Sequence, residues 1–217
     1  MEKYPKRESG PAAFDLSGGH PALDLVNTLD DRFDPDGPLE LLADYGDLLR
    51  FARQAKLLDP RQAKVLARTV SADAGRQVLR SARELREALA RALYGTLEGR
   101  PPAAGDVAAL ERHFHHANRQ RKLRWQSTND PAGGAAMSWH WDGNEPHAEL
   151  PLWMLAAAAS RLLLADGLHQ VRACGAETCR WLFLDTSKNH TRRWCNMKVC
   201  GNRMKARRFH ARRVASL

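Results

Sequence analysis

Cys174-Gly175-Ala176-Glu177-Thr178-Cys179 is followed, fifteen residues later, by Cys195-Asn196-Met197-Lys198-Val199-Cys200. These are the only four cysteines in the 217-residue chain. Two close pairs at this separation have the spacing of a tetrahedral metal site, in which each of two short loops presents two thiolates. Gly175 relaxes the first loop. The second pair opens a basic stretch, 201–213, with helical spacing, and the amide-rich start of a helix favours negative charge on sulfur. Short extended runs, 168–173 and 180–184, flank the first pair. The reading is one structural Zn²⁺ held by Cys174, Cys179, Cys195 and Cys200 in a treble-clef-like finger. Two disulfides are the bland alternative and an iron–sulfur cluster the other metal one.

The charge of the chain sits in the same segment. The net charge is +9, yet residues 169–217 alone hold twelve Lys and Arg against Glu177 and Asp185, a balance of +10. Residues 1–168 are nearly neutral, at −1. Zinc with four thiolates carries −2, which lowers the segment to +8. So small a segment, with few apolar residues, needs a metal to fold. Trp181, Phe183 and Trp194 are expected to pack around it.

Arg192, Arg193 and Lys198 flank the second pair, and Arg203, Lys205, Arg207, Arg208, Arg212 and Arg213 follow on the helix. At 100° per residue, Lys205, Arg208 and Arg212 form one stripe, while Arg203 and Arg207 lie nearer the metal. A dozen cations exceed what two negative charges need, so these nine are the candidate nucleic-acid contacts. DNA is the favoured partner and RNA the second possibility. An acidic protein, or plain solvation of the charges, is the competing account.

The remainder divides into a disordered lead-in, 1–13, and a helical body, 14–167, with the finger at 168–217. Leu23 and Val26 recur at helical spacing after Gly18-Gly19. An acidic loop, 30–38, follows. Residues 39–58 read as one amphipathic helix, with Pro60 opening the next. A long helix spans 71–97, with Leu79, Leu85, Leu89 and Leu93 on one face. Another covers 105–119 with Val107, Leu110, Phe114 and Ala117 inward. Residues 122–127 and 136–142 alternate with period two around a turn at 129–134, a tryptophan-bearing hairpin that a short N-terminal strand could join. The last helix runs over 150–166. The fold class is therefore α+β, mainly α.

Within the body, His20, Asp24, Asn27 and Thr28 are polar residues threaded through an apolar segment. They have two readings: with Trp125, Trp139 and Trp141 they floor a small-molecule pocket, or they form a capping and hydrogen-bond network while the tryptophans are core. The bland reading is favoured for both. His113 and His116 read as a solvated helix face rather than a second metal site. There is no nucleophile motif, phosphate-binding glycine loop or His-Glu-x-x-His, so no enzyme is read. No apolar run reaches 18 residues, and the polar N-terminal stretch lacks a signal core, so a cytoplasmic protein with no membrane association is expected.

Cys200-Gly201-Asn202-Arg203, after a Cys-x4-Cys pair and a basic stretch, resembles the CGNR zinc-finger family. The segment from Gly18 to Thr28 (GGHPALDLVNT) resembles the opening motif of the ABATE domain, which precedes such fingers in bacterial proteins. Together they cover about residues 14–213. The resemblance implies a bacterial stress-response transcription regulator with a DNA-binding finger, whose metal ligands are the four cysteines. The body would then sense a ligand or form a homodimer. Asn202 would brace the helix start, and Arg203 would reach the finger backbone or a phosphate.

Overall fold

The computed structural model describes residues 13–127, 135–141, 146–164 and 166–214. Most of the lead-in and the hairpin turn at 129–134 lie outside these residues.

The body is organised around α1 (Pro21–Asn27), whose residues from Ala22 to Asn27 are all buried. Pro21 suits the first turn because its missing N–H has no helical partner there. The His20 ring accepts the Ala22 N–H at 3.2 Å and caps the helix. Around α1 pack α4 (Ala72–Leu97) and α6 (Leu150–Leu164). The α6 sequence is apolar on nearly every side, and ten of its residues are buried, as a central helix requires. α2 (Tyr45–Gln54), α3 (Pro60–Thr69) and α5 (Ala104–Arg119) complete the shell. Asp59 and Gln62 close a capping box at the start of α3, with Pro60 in its first turn.

Three two-stranded antiparallel ribbons complete the described architecture. β1 (Leu29–Asp30) pairs with β2 (Leu39–Glu40) across the acidic loop. β3 (Arg121–Ser127) pairs with β4 (Ala135–Trp141), placing Leu123 opposite Trp139 and Trp125 opposite Met137. β5 (Val171–Ala173) pairs with β6 (Leu182–Leu184) around the first cysteine pair. A π turn, Met197–Gly201, carries Cys200 into α7 (Asn202–Val214). No described helix is long and apolar enough to cross a membrane.

Four expectations are corrected. Residues 39–58 are not one helix. Leu39 and Glu40 pair with β1, Asp44 caps α2 by accepting the Asp47 N–H, and the helix ends at Gln54. The strand is fixed by Arg86 of α4, which is buried and holds Glu40 through two bonds of 2.7 and 2.8 Å. Val107 is exposed rather than inward. Ala109, Leu110 and Ala117 bury α5, while Asp106 pairs with Arg91. Trp125 and Trp139 are not core: they are 66% and 61% exposed, and only Trp141 of the three packs inward, stacked on Trp153 at 6.3 Å. The N-terminal segment lies beside β6 of the finger, where Leu184 N–H donates to the Gly18 carbonyl, and not beside the tryptophan hairpin.

Candidate metal centre and its seat on the helical body

The first cysteine pair is positioned by β5 and β6. Cys174 directly follows β5, its N–H donating to the Trp181 carbonyl at 2.8 Å, and Cys179 lies three residues before β6. The second pair is set by Asn196. Its side chain accepts the Lys198 and Val199 N–H groups, while its carbonyl accepts the Cys200 N–H. This Asn cap, overlooked in reading the sequence, was visible there as an Asn at the start of a turn.

The four Sγ atoms lie within 4.8 Å of one another, and all four residues are buried. Cys195 Sγ is 3.6 Å from both Cys179 Sγ and Cys200 Sγ. A bridged pair would stand about 2.05 Å apart. Sulfurs about 2.3 Å from a central zinc stand near 3.8 Å from each other at tetrahedral angles. The donor set therefore fits zinc, and the finger holds one structural Zn²⁺. Mutual hydrogen bonding already splits the thiols: bonding with Cys179 pulls Cys174 far below the free-thiol range, and bonding with Cys174 drives Cys195 far above it. Four thiolates need a cation to coexist. Trp181, Phe183 and Cys174 belong to one small buried cluster with the other cysteines and Ala176, against which Trp194 and Met204 pack.

Of the expected cationic contacts, Arg193, Lys198, Lys205, Arg207 and Arg213 are exposed, with Arg193 over the Trp194 ring and Arg207 3.9 Å from Glu177. Arg203 points its guanidinium at Cys200 Sγ, 3.6 Å away, and so reaches a metal ligand. Arg192 is a brace. It lies 4.3 Å from the Phe183 ring centre and donates to the carbonyls of Leu184, Trp194, Cys195 and Ser17. Asp185 is buried beside it, accepting the Arg192 N–H and two bonds from Ser187. The side chains of Arg208 and Arg212 lie outside those described.

Of the four polar residues of the opening motif, Asn27 bonds the finger directly, while His20, Asp24 and Thr28 bond within the body. Asn27 behaves like a strand laid against β6: its Nδ2 donates to the Leu182 carbonyl, and its Oδ1 accepts the Leu182 N–H, both at 2.9 Å. The Asp30 carboxylate accepts Trp181 Nε1–H at 2.7 Å, Tyr94 donates its hydroxyl to the Arg180 carbonyl at 2.9 Å, and Arg192 reaches the Ser17 carbonyl at 3.1 Å. Asp24 accepts the Gly18 N–H at 2.8 Å, which holds the N-terminal turn in place under β6. Thr28 bonds the Leu25 carbonyl and receives Arg86. Gly18 is there for want of space: a Cβ would stand 2.6 Å from Asp24 Oδ1 and 3.1 Å from the Leu182 carbonyl oxygen. The motif is thus a seat for the finger.

A protein-family match decides the assignment. Residues 19–166 match the ABATE family model, described as "Putative stress-induced transcription regulator". The chain belongs to the ABATE family. Residues 170–213 of this ABATE protein match the CGNR zinc finger. No curated protein matches the chain. The two matched segments meet at the seat, where the opening motif of one holds the first hairpin of the other.

Burial pushes the Asp24 carboxyl up to about 7, against the downward pull of the Gly18 N–H and with a further push from Asp15. The folded chain therefore keeps a proton that the unfolded chain releases near its ordinary 3.8. Stability from this group falls as pH rises from about 4 to 7 and is level above that. Between pH 8 and 6, wild type should gain roughly 1–2 kcal/mol relative to Asp24→Asn. Urea midpoints of both proteins, each zinc-loaded, would check this, because the shared proton dependence of zinc binding cancels. Parallel pH profiles would count against the shift.

Proposed function

We propose that this ABATE protein is a non-enzymatic, DNA-binding transcription regulator of the bacterial cytoplasm. Its zinc finger lays α7 and the turn around the second cysteine pair against the phosphate backbone. The observation that carries this is the division of the finger into two sides. One side, Asn27-bound Leu182 and Asp30-bound Trp181, is committed to the body. The exposed cations Arg193, Lys198, Lys205, Arg207 and Arg213 are outside that seat. At about 1.5 Å per residue, a 13-residue helix is long enough to cross a major groove about 12 Å wide. Arg208 and Arg212 extend the interface by register, as positions three and seven residues beyond Lys205. Arg192, bound to finger carbonyls and to Ser17 of the body, and Arg203, aimed at Cys200, order the finger and are outside the contact surface. The helical body supports a rigid presentation of the finger in a stress response.

Duplex DNA affinity should fall steeply with salt. In Arg193→Ala/Lys198→Ala/Lys205→Ala, the slope of log K against log salt should decrease by close to 3, about 0.9 for each lost phosphate contact, with zinc content unchanged. Fluorescence anisotropy at several salt concentrations reads the affinity and its slope, and a metal assay reads the zinc. A triple variant that binds like wild type, or a protein that prefers single-stranded RNA to duplex DNA, would overturn the proposal.

A further inference from the structure

The β3–β4 ribbon divides cleanly by face. Cross-strand pairs Leu123–Trp139 and Trp125–Met137 put four large apolar side chains on one face. Their exposures are 50%, 61%, 66% and 52% in that order. The alternate pairs, Lys122–His140 and Arg124–Ser138, belong to the other face. At the base, Arg121 lies over the rings of Trp139 and Trp141, at 5.4 and 5.5 Å, and Trp141 anchors the ribbon on Trp153 of α6. Among the described residues, neither strand pairs with a third.

A two-stranded ribbon with one wet apolar face is marginal alone and calls for a cover. We propose that the cover is the same face of a second copy of this chain, so that two ribbons stack across a twofold axis into a homodimer. Three features select this occupant. The face is self-complementary, as an isologous contact requires. Its described strand residues include no carboxylate, and its single cation, Arg121, is drawn back over the tryptophans at the base. Two such faces therefore meet without like charges opposed, because Lys122 and Arg124 belong to the far side of each ribbon. The exposed apolar surface, together from two copies, is on the order of 1,000 Å², the least that a specific interface needs. A polynucleotide fits less well. Stacking on tryptophan is paired with cations along the same surface, and here rings and most cations occupy opposite faces.

Sedimentation equilibrium of the full-length, zinc-loaded protein tests this. Wild type is expected to approach twice 24.3 kDa by about 100 µM. Leu123→Glu and Trp139→Glu, and the milder Met137→Gln, should weaken association roughly 30-fold or more, with zinc content and circular dichroism retained. Arg124→Gln, on the other face, should associate as wild type does. A wild-type monomer at about 100 µM, or folded face variants that associate unchanged, would overturn the proposal. So would a monomer whose polynucleotide affinity falls in Trp125→Ser/Trp139→Ser, which would give the face to nucleic acid.

Discussion

Stripping zinc from the protein, or replacing Cys200 with serine, is expected to unfold the finger from Asp185 to Val214 while the helical body stays folded. The reason lies in where apolar contacts end. Among the described residues, the finger's own buried cluster contains only Ala176, Trp181, Phe183 and the cysteines themselves, with Trp194, Val199 and Met204 at its margin. Without the metal, the cysteines contribute four polar thiols to a core with almost nothing else in it. Structural zinc supplies on the order of 10 kcal/mol of folding free energy in small fingers, far beyond what that cluster could replace. The body core is a separate and much larger cluster built on α1, α4 and α6, and it needs no sulfur. The boundary runs through β6. Leu182 packs into the body core, and its neighbours Trp181 and Phe183 pack at the metal. Hydrogen exchange followed by mass spectrometry should therefore show protection lost in α7 and the Cys195 turn, partly lost in β5 and β6, and kept in α4 and α6. Unchanged protection of α7 in a chelated sample would show that the finger does not depend on its metal.

Local signals explain what the sequence could tell in advance. The cysteine spacing is a short-range constraint, and so are Pro60 at the start of α3 and the regularly spaced leucines of α4. Each is settled by residues within one or two turns. The failures are non-local. Leu41 and Leu42 continue the apolar spacing of α2, and nothing nearby says that Glu40 is claimed by Arg86, 46 residues away, which pulls residues 39–40 into a strand. Alternation in the hairpin revealed a two-faced ribbon but not that the body would leave its apolar face uncovered. Arg192 has the composition of a phosphate contact, yet four carbonyls and an aromatic ring surround its guanidinium. Only the fold could show that. The buried polar residues of the opening motif were visible as an anomaly, polar groups in an apolar helix, but the partner of Asn27 lies 155 positions downstream.

That separation sets up the second large effect. Asn27→Ala should lower the melting temperature of the holo-protein by roughly 5–15 °C, since it strands two main-chain groups of Leu182 at about 1–3 kcal/mol each, and a chain of this size loses about 2–4 °C per kcal/mol. Both bonds to Asn27 are buried, and Leu182 is fully buried. Gly18→Ala reaches the same seat by another route. The new methyl would press on the Asp24 carboxylate and the Leu182 carbonyl, a backbone atom that cannot swing aside, at about 1–3 kcal/mol. Neither substitution touches a zinc ligand, so metal content should hold at one equivalent while exchange accelerates in β6. This pattern separates a seat from a pocket. Had Asn27 and Asp24 been kept for a small molecule, removing the Asn27 amide would cost ligand affinity and leave the unliganded melting temperature nearly unchanged. A wild-type melting temperature for Asn27→Ala would defeat the seat. The expected loss, with zinc retained, means that the opening motif contributes to this ABATE protein by fixing how the finger sits on its body.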